Sequence, residues 1–224
     1  RFSPDPSSQR ASTIGGNAST NAGGINTLRH GVTTSHILGL ELVLPNGSIL
    51  HTRTGGLYDG IGADLPALIC GSEGTLSIIT RVWCRLVRNP EFCRTVYALF
   101  NTTYDACKTV ADTIAAGILP TSMEMMDRGM IEVVEMAFSF GFDTSAGAML
   151  LIEIDGIDQI LDEEMAQIDQ IARQNHASDI QKCSDPKRRL ELWSARKKAF
   201  GAIGRISHSY CAQDACVPRS MLPE

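Results

Sequence analysis

Apolar and polar positions follow two regimes along the chain, and the change comes near residue 90. Before it, apolar residues arrive in short runs rich in β-branched side chains. Ile37–Leu44 is almost continuously apolar and reads as a buried strand. Asn46-Gly47 follows, a pair tolerant of positive φ, and "SILHTRT" returns, so this stretch predicts a hairpin. A further β stretch sets Ile78, Thr80, Val82 and Cys84 against Ile79, Arg81, Trp83 and Arg85. Helix signals are scarce in this first part.

After Pro90, strands and helices alternate. "RTVYALF", "SMEMMD" and "AMLLIEI" predict strands. Thr102 or Thr103 caps a helix with Cys107, Val110, Ala111 and Ile114 on one face, and Gly117 ends it. Asp127 caps a second helix whose apolar face holds Met130, Val133, Val134 and Ala137. Leu161, Met165, Ile168 and Ala172 share one face of a third. Asp185-Pro186 opens a fourth, which runs through Leu190, Trp193 and Phe200 before an extended "SYCAQDACVP". The chain therefore reads as a β-rich segment followed by an α+β domain, with the boundary near Arg88–Phe92.

The 224 residues carry a net charge of -5, which argues against a nucleic-acid partner. The longest apolar runs, such as Ala148–Ile152, fall far short of the roughly 20 residues that span a bilayer. No apolar segment after the start resembles a signal peptide. Seven scattered cysteines without CxxC spacing suit reduced thiols in a cytoplasmic protein. His30, His36, His51, His176 and His208 make no metal-binding spacing. The abrupt ends, Arg at position 1 and "VPRSMLPE" at the finish, suggest a piece of something longer.

Two stretches stand out chemically. "STIGGNASTNAGGINTLRHG" (Ser12–Gly31) holds five glycines, spaced GG-x6-GG and then Gly31. Glycines permit positive φ and let a ligand approach the backbone, and successive amides in such turns attract anions. The alternative is a plain surface loop. The stretch lacks the lysine of a P-loop, and it lacks the GxGxxG spacing and following helix of a Rossmann fingerprint. The second stretch is "GSEGTLSIIT" (Gly71–Thr80), where two glycines flank Ser72 and Glu73. Its carboxylate could cap backbone amides or orient part of a cofactor.

In this order and spacing the two stretches resemble the flavin-binding domain of the vanillyl-alcohol-oxidase-like, PCMH-type flavoproteins. Within these, the chain is most similar to the FAD-linked subunit of glycolate oxidase and its D-lactate dehydrogenase relatives. "HGVTTSHILGLELVLPNG", "AAGILPTSMEMMDR", "LLIEIDG", "LWSARKKAFGAIGRIS" and "DACVPRSMLPE" extend the resemblance over essentially the whole chain. It implies that residues 1–90 are the second half of a PCMH-type FAD-binding domain and that 91–224 are a ferredoxin-like cap over the substrate.

The resemblance also implies roles. Ser7, Ser8, Ser12 and Thr13, a turn at Gly15, Gly16 and Asn17, and Ser19, Thr20, Asn21 and Ala22 would line FAD. Glu73, Gly74, Thr75, Leu76, Ile78 and Ile79 would close over it. Arg196, in "WSARKKAF", would grip the substrate carboxylate, against the alternative of a solvated helix end shared with Lys197 and Lys198. Glu124 lies on a strand that could face the same pocket or stand as a core-edge carboxylate.

The implied reaction is oxidation of glycolate or a small D-2-hydroxy acid to the 2-oxo acid. D-lactate or D-2-hydroxyglutarate as substrate, or a non-catalytic flavin-fold subunit, are the alternatives. Electrons would leave through an iron–sulfur partner, beside a second flavin-fold subunit, with peripheral attachment to the inner membrane through those partners. A first flavin segment is expected before Arg1. The catalytic base and any metal site are expected after Glu224, with no metal held by this chain. Departures from the pattern are Ala63 before Asp64, Ser77 after "GTL", and "AQD" at Ala212–Asp214.

Overall fold

The computed structural model describes residues 1–9, 11–52, 62–207, 209–211, 213 and 215–223. The chain divides into two compact units, Arg1–Asn89 and Pro90–Glu224. Ala212 and Asp214 of the "AQD" departure, and part of the returning strand, Arg53 and Thr54, lie outside the described residues.

The first unit is built on a three-stranded antiparallel sheet. The predicted hairpin forms from β1 (Ile37–Val43) and β2 (Ile49–His51), with Glu41 opposite His51 and Val43 opposite Ile49. Gly47 takes φ +80 in its turn, and the Asn46 side chain accepts from the amide and hydroxyl of Ser48. β3 (Ile78–Cys84) pairs on the other side of β1. Strict alternation fails in β3 because the register slips between Glu41–Arg81 and Leu42–Ile79. Thr80 is the extra residue of that bulge, so Ile79 and Val82 both pack on the core of Ile37, Leu40 and Leu42.

Helices also form in this unit, against expectation. α1 (Ile14–Thr20) occupies the middle of the glycine-rich stretch, so Gly15–Asn17 is the opening of a helix and not a turn. Thr13 makes this possible: its hydroxyl accepts from the Gly16 amide at 2.9 Å. Asn21 ends the helix in the left-handed region at φ 49, and Ala18 is fully buried. Two shorter helices follow, α2 (Thr27–His30) and α3 (Leu65–Ile69), the latter capped by Asp64.

The second unit has a four-stranded antiparallel sheet of β4 (Phe92–Phe100), β5 (Ser122–Asp127), β6 (Ala148–Gly156) and β7 (Ala177–Cys183). Its order is β5-β6-β4-β7. With α4 (Thr103–Ala115) between β4 and β5, and α6 (Asp158–Gln174) between β6 and β7, this is the ferredoxin-like arrangement. α5 (Arg128–Phe138) and α7 (Pro186–Ile203) are additions to it. One sheet face packs on α4 and α6 through Val96, Ala98, Phe100, Leu150, Ile152, Ile154, Leu161 and Ile168. Fully burying each large apolar side chain there contributes about 1.5–3 kcal/mol.

The helix faces depart from their periodicities at particular places. In α4 the buried side includes Ala106, Thr109 and Thr113, rotated toward the hydroxyls, while Val110 is half-buried. Thr109 and Thr113 donate to the carbonyls of Asp105 and Thr109, one turn back, which removes the cost of burying them. In α5, Ile131 and Val134 lie deepest. α6 follows its stripe, with Leu161, Ile168 and Ala172 buried. In α7, Trp193 is buried but Leu190 and Phe200 are exposed, and the small residues Ala195, Ala199 and Ala202 make the buried side.

Candidate functional site

The two glycine stretches of the first unit meet directly. The Gly71 amide donates to the Ala18 carbonyl at 3.0 Å, and the Glu73 amide donates to the Ser19 carbonyl at 2.9 Å. The last turn of α1 is thereby stitched to the turn before β3. That turn requires left-handed backbone at Gly71 (φ +87), Glu73 (φ 51) and Gly74 (φ +79). A Cβ on Gly71 would stand 3.1 Å from the Asn21 Cβ, so small size here serves the stitch itself. Asn21 completes the junction, its side-chain oxygen accepting from the amide and hydroxyl of Thr34 at 2.9 and 2.7 Å.

Other glycines answer to no protein neighbour. A Cβ on Gly15 or Gly74 would meet nothing within 4 Å. By contrast, one on Gly24 would lie 2.0 Å from the Pro4 carbonyl oxygen. Gly24 thus serves packing, while Gly15 and Gly74 leave open space before the backbone. Beside Gly74, a cavity of about 460 Å³ is lined by Val43–Pro45, Gly47 and Gly74–Ile78. It is large enough to take part of a cofactor. The hairpin end Val43–Gly47 was legible as a turn, but nothing local marked it as a cavity wall.

The remaining expected residues divide. Ser7 and Ser8 sit exposed on a turn of their own, in which the Ala11 and Ser12 amides donate to the Ser8 carbonyl. Asn17 is buried in α1, whereas Thr20 is exposed and donates to the Gly16 carbonyl. Ile78 is exposed at the cavity, but the Ile79 side chain packs into the core. Ser77 has a buried hydroxyl without a partner at the cavity wall. Small side chains, left-handed backbone and open space before Gly15 and Gly74 fit a flavin nucleotide lying against the main chain.

In the second unit, α7 lies across the sheet face not used by α4 and α6. It does so through two carboxylate–arginine pairs seven residues apart on the helix. Arg189 Nη1 donates to Glu153 Oε2 at 2.7 Å, and Arg196 Nε donates to Glu124 Oε2 at 2.6 Å. Glu153 also accepts from Thr95 Oγ1 at 3.3 Å, to which the Trp193 indole donates at 3.4 Å. Arg196 lines a cavity of about 290 Å³ together with Met125–Asp127, Met130, Ala199 and Phe200. Arg196 is therefore a held guanidinium at a mostly apolar cavity, whereas a freely solvated helix end would have no partner. Lys198 lies elsewhere, with its ammonium 5.2 Å from the Phe138 ring centre and 5.7 Å from that of Phe140.

Among the described residues no group of three or more His, Cys, Asp or Glu side chains could hold a metal ion. No helix among them is long and apolar enough to cross a membrane.

Comparisons with known proteins extend over nearly the whole chain. Residues 89–224 match the family model of the FAD linked oxidases, C-terminal domain, and residues 1–53 match that of the FAD binding domain. The chain is 41% identical over 221 residues to the glycolate oxidase subunit GlcD of Bacillus subtilis, covering 98% of this chain and 47% of that protein. It is 32% identical over 214 residues to the mitochondrial D-lactate dehydrogenase [cytochrome] of Arabidopsis thaliana, covering 95% and 37%. Among solved structures, p-cresol methylhydroxylase with substrate bound superposes with a TM-score of 0.65 at 13% identity, covering 85% of this chain and 44% of that one. The last likeness is one of fold. The chain spans less than half the length of these relatives.

Proposed function

We propose that this chain, which belongs to the family of FAD-linked oxidases, is part of an enzyme that oxidises glycolate or a small D-2-hydroxy acid to the 2-oxo acid. The observation that carries the reading is the junction of Ser19 and Asn21 with Gly71–Gly74, where open space lies before Gly15 and Gly74. Residues 1–90 then form the second part of the flavin domain, and residues 91–224 the substrate-covering domain. When bound, FAD supplies the two-electron acceptor that the side chains of this protein lack. Ser12, Thr13, Ser19 and Thr20 offer hydroxyls to the cofactor, and the Gly74–Ile78 backbone offers amides and carbonyls. Arg196 binds the substrate carboxylate and so orients the alcohol carbon.

A relative bearing the name D-lactate dehydrogenase favours D-lactate as a second substrate reading. Naming of the B. subtilis relative as a subunit supports partner subunits, which would include an iron–sulfur protein to receive electrons and would bring the complex to a membrane surface. The test is to express the full-length protein, record its visible spectrum, and assay it with an artificial electron acceptor. Flavin absorption and turnover of glycolate or D-lactate are expected. A colourless protein, inactive on D-2-hydroxy acids, would overturn the reading and favour a structural subunit.

A further inference from the structure

We propose that Glu124 is a positioning residue for substrate: it holds Arg196 by its Nε edge and so aims the outer Nη1–Nη2 edge at the incoming carboxylate. This rests on the reading of Arg196 as the carboxylate-binding residue. Glu124 lies in the middle of β5, opposite Leu151 of β6. Its neighbours Met123 and Met125 pack toward α4 and α6, so Glu124 is turned to the α7 side by the pleat. There its Oε2 meets Arg196 Nε at 2.6 Å, with the two side chains only 19% and 23% exposed. The guanidinium is further bounded by the Phe200 ring one turn on, 5.9 Å from Cζ to the ring centre. A planar fork fixed at one edge and covered on one side has little freedom left. Its outer edge has the spacing that a carboxylate accepts bidentately.

The same helix contains an internal control. Arg189 and Glu153 make the equivalent pair one strand over, and there the carboxylate is 9% exposed and also takes a hydrogen bond from Thr95. That pair belongs to a closed polar network under α7. Arg196 instead lines the cavity beside Met126, Met130 and Phe200, with Glu124 behind it. A largely buried ion pair is weak evidence for stability, since desolvation offsets much of the attraction. Orientation of the guanidinium at the cavity accounts for the carboxylate better than stability does.

The experiment uses the full-length flavoenzyme, with steady-state kinetics on its best 2-hydroxy acid and calorimetric titration of oxalate as a non-reacting dicarboxylate. Glu124→Ala is expected to lower kcat/KM by about ten- to a hundredfold through KM, the scale of a misplaced binding group, and to weaken oxalate in parallel. Glu124→Gln retains an acceptor for Nε without the charge, and is expected to restore KM to within about threefold of the parent. Thr95→Val, which trims the control network, is expected to lower the melting temperature and leave KM unchanged. An unchanged or lowered KM in Glu124→Ala, or no rescue by glutamine, would overturn the proposal. Should Glu124→Ala not fold, Glu124→Asp, which draws the guanidinium back by one methylene, must raise KM and weaken oxalate, and normal values would overturn it equally. Arg196→Ala separates the two levels. If it leaves KM and oxalate affinity unchanged, the reading of Arg196 fails. If it raises KM while Glu124→Ala does not, only the positioning role fails.

Discussion

The Glu73 amide donates to the Ser19 carbonyl at 2.9 Å, joining positions 54 residues apart. This bond, with that of Gly71 to Ala18, turns two glycine-rich stretches into one surface. Neither stretch has a ligand-binding shape by itself: one is a short helix and the other a left-handed turn. Joined, they expose main chain with few side chains in front of it. A flat, polar cofactor requires that kind of surface.

The two kinds of glycine on this surface are expected to respond oppositely to alanine. Gly71→Ala forces a Cβ onto backbone at φ +87 and to 3.1 Å from the Asn21 Cβ. A loss of at least about 1–2 kcal/mol follows from the left-handed conformation alone. Gly15→Ala places a methyl in open space within α1, and is expected to stabilise by about 0.5–1 kcal/mol. The same substitution is expected to weaken flavin retention, because that space is where the cofactor would lie. Urea unfolding and FAD titration of the deflavinated protein measure both. A Gly15→Ala variant with unchanged FAD affinity would exclude Gly15 from the cofactor surface.

Removal of the Glu153 carboxylate is expected to be among the most damaging changes in the second unit. Its side chain is 9% exposed and engages both Arg189 and Thr95. Glu153→Ala leaves a largely buried guanidinium uncompensated, at a cost of about 3–5 kcal/mol. A double variant, Glu153→Leu with Arg189→Met, removes both charges and is expected to recover most of that loss. Denaturant midpoints for the single and double variants give the answer. Additive losses would mean that the two residues do not stabilise each other.

Elements with strong periodicity were legible in the sequence, and those formed by tertiary pairing were not. α6 declared itself through Leu161, Ile168 and Ala172. β7 did not, because Ala177–Cys183 is an edge strand with mostly exposed polar residues and no alternation to read. α1 was hidden by its glycines, whose low helix propensity the Thr13 cap and the Asn21 terminus override. The role of Asp127 as a cap was plain, since Asp directly precedes a helical stripe, and its side chain does accept from the Met130 amide. The partnership of Arg196 with Glu124 was not, because 72 residues separate them and only the docking of α7 on β5 brings them together.

Thiol reactivity is expected to sort the seven cysteines by environment. Burial pushes the Cys70, Cys107 and Cys183 thiols up, so the reactive thiolate is scarce as well as shielded. Cys211 and Cys216 are exposed, with Cys84 and Cys93 between the extremes. An aromatic disulfide reagent at neutral pH is expected to modify Cys211 and Cys216 first. Cys70, Cys107 and Cys183 should react only on unfolding. Peptide mapping after a short pulse identifies the sites, and early labelling of Cys107 would contradict its packing from α4 against Met125 of β5.

Tyr97 links stability to alkaline pH. It is 4% exposed on β4, and burial, reinforced by the nearby negative charges of Asp179 and Asp143, pushes its phenol up to about 12. The unfolded chain releases that proton near pH 10. Since the folded value is the higher, the contribution is whole below pH 10 and is lost as pH rises toward 12. Two pH units correspond to about 2–3 kcal/mol. Tyr97→Phe keeps the ring stacked on Phe142, at 6.1 Å between ring centres in the parent, and removes the ionisable group. The variant is expected to lose less stability than the parent between pH 10 and 12, by up to that amount. Urea midpoints across this range, read beside phenolate absorption, measure the difference. Parallel curves for the two proteins would mean that Tyr97 ionises in the folded state as readily as in the unfolded one.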